Sequence, residues 1–362
     1  MARTRTVVAG VDTHADTHHS AVLDQRGRLL DTAQFPATAQ GYRQMLTWIR
    51  KRGRLSRVGV EGTGSYGAGL TRYLNAEGVA VIEVNRTNPG TRRRRGKSDP
   101  IDAEAAARAV LSGEATATPK DRTGIVEAIR VLRVARSGAV KARTAALNQI
   151  KDLITTGPDE LRTQLRGQRL IQAAKTCARM RPDTTRLDDP VQATRTALQV
   201  IGARVAALTD EITTADKRLK AMLARAAPDT MGMLGVSTEH AGQLLVTAGQ
   251  NPTRLHTESS FAALCGSNPI PASSGKTTRH RLNRGGDRAA NRTLHMIAVV
   301  RMRWCPATRA YVERRTKDGL SKKDIIRCLK RYIARAVYHT IQADLTALNE
   351  PQPARLKPLD DL

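Results

Sequence analysis

The chain has 362 residues, enough for two or three domains with a sizeable core, and 60 Lys and Arg against 33 Asp and Glu leave a net charge of +27. A field of that sign attracts a polyanion, nucleic acid or an anionic membrane surface. No apolar run approaches the roughly 20 residues of a membrane span and no secretory signal pattern is read, so a cytoplasmic, nucleic-acid-binding protein is expected. Cys177, Cys265, Cys305 and Cys328 lack C-x-x-C spacing, which argues against a zinc knuckle or redox pair. Aromatic residues, at 3%, are too few for a surface that grips single strands by stacking, so phosphate contacts should carry affinity.

The first predicted strand is the apolar run Arg5–Asp12, short, β-branched and ending on one carboxylate. Two further strands, His18–Asp24 and Arg28–Phe35, are joined by Gln25-Arg26-Gly27 as a hairpin turn. A helix over Gly41–Lys51 carries Met45, Leu46 and Ile49 on its apolar side. Strand Arg57–Glu61 again ends on an acid, and a helix over Tyr66–Glu77 and a strand over Val79–Val84 follow. The order βββαβαβ is that of a ribonuclease-H-like α/β fold, in which the first and fourth strands are neighbours, so Asp12 and Glu61 should meet.

Arg92-Arg93-Arg94-Arg95-Gly96-Lys97 then precedes Ser98-Asp99-Pro100-Ile101-Asp102, which opens an alanine-rich helix to Leu111. Asp99 reads as the N-cap with Pro100 at the first helical position, and Asp99 and Asp102, three apart, share one side of the helix start. Capping alone would account for that pair. With Asp12 and Glu61 they make four carboxylates, which repel one another unless a cation intervenes. Mg²⁺, with Mn²⁺ able to replace it, takes oxygen ligands and can clamp the oxygens of a phosphodiester. The arginine run and Lys97 would hold the nucleic-acid backbone alongside.

A competing pattern, Gly62-Thr63-Gly64-Ser65-Tyr66-Gly67, is formally a dinucleotide fingerprint with Glu83 at the end of the next strand. Such a fingerprint normally sits on the first strand of its domain, and it does not call for a charge of +27.

Gly113–Gly124 reads as a linker. Beyond it Ile129, Leu132, Ala135, Ala139, Ala142, Ala146, Ile150 and Leu153 recur at helical spacing until Gly157-Pro158. From Val191 to Met222 the apolar steps alternate three and four, a heptad seam that either folds back on the first long helix or pairs with another subunit. Pro228–Gly249 has the size of a helix-turn-helix. A glycine-punctuated basic loop follows, Ser267 to Arg288, with Ser273 and Ser274 at its head. A serine hydroxyl can attack phosphorus where guanidinium groups stabilise the charge on the equatorial oxygens, and Lys276, Arg279, Arg281, Arg284 and Arg288 are candidates for that task. Helices over Ala289–Arg303 and Ser321–Leu345 complete the pattern.

Taken together, the four acids and the stretches Pro-Ile-Pro-Ala-Ser-Ser-Gly and Arg-Leu-Asn-Arg-Gly-Gly-Asp-Arg resemble the DEDD-type insertion-sequence transposases, the family that includes the Piv-type DNA invertases. The resemblance implies a RuvC-like domain over 1–118, a helical coiled-coil segment over 119–226, a mainly α C-terminal transposase domain over 227–348 and a tail over 349–362. It implies that Asp12, Glu61, Asp99 and Asp102 bind metal and that Ser274, or adjacent Ser273, is the nucleophile. The implied partners are DNA, a structured guide RNA and further copies of the chain in a dimer or tetramer, in the bacterial cytosol at the nucleoid. The alternatives are a RuvC-like junction endonuclease using metal-activated water, and a non-catalytic nucleic-acid-binding protein.

Overall fold

In the computed structural model, which describes residues 5–85, 98–276 and 280–350, the N-terminal apolar run is β1 (Thr6–Thr13), buried at every position from Val7 onward. β2 (Thr17–Asp24) and β3 (Leu29–Pro36) continue it as an antiparallel meander. Helix α1 (Ala39–Arg50) starts where Thr38 Oγ1 accepts a hydrogen bond from the Gly41 amide at 3.1 Å, a side-chain N-cap. β4 (Arg54–Glu61) lies parallel to β1 on its other side, followed by α2 (Ala68–Ala76) and β5 (Val81–Val84), parallel to β4. The sheet order is β3-β2-β1-β4-β5, the ribonuclease-H-like arrangement, with β1 and β4 side by side. β4 begins earlier than its apolar run suggests, because Arg54 and Leu55 pair with Thr6 and Val7.

Side chains alternate across β1, so its two faces have different partners. Val7, Ala9 and Val11 pack with Met45, Leu46 and Ile49 of α1 and with Leu70 and Leu74 of α2. The other face receives α3 (Asp99–Leu111), whose Ala106 and Val110 join Val8 and Val84. This helix lies unusually close to the sheet. A Cβ on Gly10 would fall 2.2 Å from the Ala107 amide nitrogen and 2.3 Å from the Ala103 carbonyl, and one on Gly59 would fall 2.6 Å from Val110 Cγ2. Two glycines on adjacent strands and a stripe of alanines therefore let backbone pack against backbone.

The segment expected as a linker is tied into this unit. Glu83 N donates to Ala117 O at 2.7 Å, Asn251 Nδ2 donates to Pro119 O at 3.0 Å, and Asp121 N donates to Asn251 Oδ1 at 3.1 Å. The chain forms two compact units: the described residues up to 123 together with 248–260, and residues 124–247 together with those from 261 onward.

In the second unit, α4 (Gly124–Thr156), α5 (Asp159–Leu165), α6 (Leu170–Ala178) and α7 (Pro190–Ala226) share a core that includes Ala146, Ile150, Leu161, Leu165, Cys177, Leu198 and Val205. The heptad seam of α7 turns inward onto the same chain: Leu198, Val205, Ile212 and Leu219 are buried, and none of its other positions is exposed. On α4 the apolar reading needs correction, since Ala135 and Ala142 are exposed. Arg136 instead reaches across, hydrogen-bonding the Asp216 carboxylate of α7 and lying 3.4 Å from Glu239. Short α8 (Pro228–Gly232), α9 (Thr238–Ala248), α10 (Glu258–Leu264) and a two-stranded hairpin of β6 (Pro269–Pro271) and β7 (His280–Leu282) follow. Helices α11 (Arg288–Trp304), α12 (Pro306–Lys317) and α13 (Lys322–Asn349) complete the fold. Among the described residues no helix is long and apolar enough to cross a membrane.

Because the α3 contact leaves no room for a methyl group, Gly10→Ala is expected to destabilise the protein by about 1–3 kcal/mol through overpacking. Urea unfolding of the variant against the parent measures this, and an unchanged midpoint would contradict the close contact.

Candidate active site

The geometry of the acids follows from the same contact. Gly10 and Gly59 face α3, so Asp12 and Glu61, two residues further along each strand, point to that same side. Val11 and Val60 are register partners, and Thr13 Oγ1 donates to the Glu61 carbonyl at 2.9 Å, which ties the two strand ends together. On α3 the buried stripe Ala103, Ala106, Ala107 and Val110 extends one turn back to Asp99 and Asp102 at helical spacing. Both strand ends and the helix start thus carry carboxylates at one end of the sheet. Asp12 and Asp102 are buried, Glu61 is partly buried and Asp99 is half exposed.

Helix α3 starts one residue earlier than expected. Ser98 occupies the cap, with no side-chain cap hydrogen bond, and Asp99 is the first helical residue. Asp99 therefore does not spend its carboxylate as an N-cap. Its Oδ1 instead lies 3.9 Å from His14 Nε2, while His14 Nδ1 lies 3.8 Å from Asp12 Oδ2. Ligand atoms of Asp12, His14 and Asp99 all fall within 4.8 Å of one another, a group able to hold a metal ion.

Burial pushes the Asp12 carboxyl above the ordinary carboxylate range; His14 opposes that shift, and the charges of Asp102 and Asp99 reinforce it. His19, the register partner of Asp12 across β2, has its pKa lowered by burial against the pull of Asp99 and Asp12, and its Nε2 is buried without a hydrogen-bond partner. Carboxylate oxygens beside a desolvated, mutually repelling carboxyl suit a divalent cation. Sequence reasoning missed His14 and His19. The signal was present in Thr13-His14 and His18-His19 around the strand turn, but which histidine faces the acids depends on register.

The glycine-rich loop after β4 serves a local role. Thr63 Oγ1 donates to Glu83 Oε1 at 2.8 Å, so the acid a dinucleotide site would turn toward a ribose is engaged by the loop itself.

In the second unit the serine loop is a hairpin with a fixed root and an exposed tip. Ser273, Ser274, Gly275 and Lys276 are exposed, as are Arg281, Arg284 and Arg288. At the root Asn283 Nδ2 donates to Asn268 Oδ1 at 2.6 Å. Asn291 Nδ2 donates to the Cys265 and Gly266 carbonyls at 2.9 and 2.8 Å, and Asn291 Oδ1 accepts from the buried Lys330 Nζ at 2.5 Å. Asp287 caps α11, accepting from Ala289 N at 2.8 Å, and also accepts from Thr247 Oγ1 at 2.8 Å. Asn268, Asn291 and Lys330 were not anticipated. Beside the hairpin runs a groove of about 790 Å³ whose lining includes Arg281, Arg315, Arg327, Arg331 and Tyr332. Arg92, Arg93, Arg94, Arg95, Lys97 and Arg279 lie outside the described residues.

A family model of the DEDD transposase type, described as a transposase, matches residues 9–157, a span that contains all four acids. A second, described as the transposase IS116/IS110/IS902 family, matches residues 227–313, which contain the serine hairpin. No curated protein matches the chain.

The raised Asp12 value has a definite sign in stability. Above the ordinary value of 3.8 the native state holds more of the Asp12 proton than the unfolded chain does, so stability falls as pH rises through that window. Asp12→Asn removes this penalty. In EDTA the variant is expected to melt higher than the parent at neutral pH, with the gain shrinking toward pH 3.8. An equal or lower melting temperature at neutral pH would contradict the electrostatic reading of the cluster.

Proposed function

The chain belongs to the IS116/IS110/IS902 family of transposases, enzymes of insertion sequences that cut and rejoin DNA, and from that membership we propose how its residues divide the work. Asp12, Glu61, Asp99 and Asp102 hold a divalent cation, Mg²⁺ or in its stead Mn²⁺. Bound there, the cation supplies positive charge to the phosphate under attack. Ser274 supplies the nucleophile: its oxygen bonds to phosphorus, the bond from phosphorus to one bridging oxygen breaks, and the serine proton passes through solvent to that departing oxygen, freeing a strand end as a hydroxyl. The phosphoserine diester keeps the energy of the original linkage, so rejoining to another strand needs no outside source. Lys276, Arg281, Arg284 and Arg288 hold the backbone near the hairpin tip.

The observation that carries this reading is the approach of the β1 acid Asp12 to Asp99 at the start of α3, with Asp99 unspent as a cap and Glu61 on the neighbouring strand end facing the same side. Support for Ser274 comes from exposed serines on a hairpin whose root is pinned by partly buried asparagines, as a nucleophile that must reach a duplex requires. A net charge of +27 suits more than one nucleic-acid ligand, and a structured guide RNA beside DNA belongs to the same proposal, as does assembly into a dimer or tetramer.

The test incubates parent, Asp12→Ala, Ser274→Ala and Ser273→Ala proteins with DNA carrying the element ends, Mg²⁺ and RNA transcribed from the flanking sequence. Detergent-stable protein–DNA adducts are expected with parent and Ser273→Ala, and to fall at least about 100-fold with the other two, the scale for losing an essential catalytic group. Cutting that persists in Ser274→Ala would replace the serine mechanism with hydrolysis by activated water.

A further inference from the structure

The imidazole of His14 stands between two of the acids at ion-pairing distance. Its two nitrogens lie 3.8 Å from Asp12 Oδ2 and 3.9 Å from Asp99 Oδ1. Both distances exceed a hydrogen bond. One ligand atom from each of Asp12, His14 and Asp99 lies within 4.8 Å of the other two, close enough for the three to converge on a single ion. The ring is half exposed, so packing does not fix it there, and Asp12 beneath it is buried. His19, the register partner of Asp12 on β2, is the other imidazole beside these acids and serves as the control.

We infer that His14 is itself a ligand of the cation held by Asp12 and Asp99, through one ring nitrogen, which makes this a mixed nitrogen and oxygen site. The inference rests on the proposed metal-binding role of the acids and adds to it a preference among metals. Mg²⁺ favours an all-oxygen shell, whereas a nitrogen donor favours transition-metal ions, with affinity rising along the first row from Mn²⁺. The site should therefore bind Mn²⁺ more tightly than Mg²⁺, with the margin set by His14.

Pulsed electron paramagnetic resonance on the full-length protein loaded with one equivalent of Mn²⁺ reads the ligand directly, independently of activity. Nitrogen nuclear modulation on the Mn²⁺ signal is expected in the parent and in His19→Ala, and is expected to vanish in His14→Ala. Titration should show His14→Ala weakening Mn²⁺ binding about 10-fold and Mg²⁺ binding much less. Circular dichroism checks that each variant is folded. Bound Mn²⁺ without nitrogen modulation in the parent, or modulation surviving in His14→Ala, overturns the inference and leaves the acids as an all-oxygen site. If parent protein binds no Mn²⁺ and Asp12→Ala behaves identically, the metal-binding role of the acids falls, and this inference with it.

Discussion

The near contact between α3 and the central strands is the constraint on which the first unit depends. A helix normally stands off a sheet by the thickness of two side-chain layers. Here Gly10 and Gly59 remove one layer and the alanines of α3 thin the other, so the axis drops toward β1 and β4. The start of that helix comes level with the strand ends. Carboxylates widely separated in the chain then share one small region, and their repulsion is built in by packing that other parts of the unit stabilise. Burial of Met45, Leu46 and Ile49 on the opposite face, each worth about 1.5–3 kcal/mol, is the kind of contribution that offsets such a cost.

The two candidate reactive regions use opposite strategies for position. The acids sit on regular elements, where a strand end and a helix start fix their direction. The serines sit on a hairpin tip, and its accuracy comes from below, from side-chain amides clamping main-chain carbonyls and a lysine clamping one of those amides. A buried lysine is costly unless it is paired with an acceptor. Desolvation pulls Lys330 below the usual lysine range, with Arg327 pushing the same way.

Much of the first unit was legible before any coordinates. Strand runs ending on Asp12 and Glu61, and the sequence of strands and helices, were enough to give β1 and β4 as neighbours, because alternation and chain order determine which ends meet. The cap was misread by one residue, since Ser98 and Asp99 are both good N-caps and only backbone angles separate them. His14 escaped notice because which histidine around the β1–β2 turn faces the acids depends on strand register. On α4, helical spacing puts Ala135 on the core side and leaves Arg136 off it. The partners that reverse those roles, Asp216 and Glu239, lie far along the chain. Lys330 sits among Ile325, Leu329 and Ile333 and reads as a surface interruption of an apolar stripe; Asn291 Oδ1, the side-chain oxygen that accepts from it, belongs to another helix.

The return of residues 248–260 to the first unit has a consequence for the order in which this protein is made. Asn251 and Arg254 tie down the main chain at Thr118, Pro119 and Asp121, yet they leave the ribosome only after both long helices have been synthesised. A nascent chain can close its sheet early, but the strap across its last turn arrives late. The acid-bearing unit is thus complete only when most of the polypeptide has emerged, so an early-terminated product carries the acids without the clasp that finishes their scaffold.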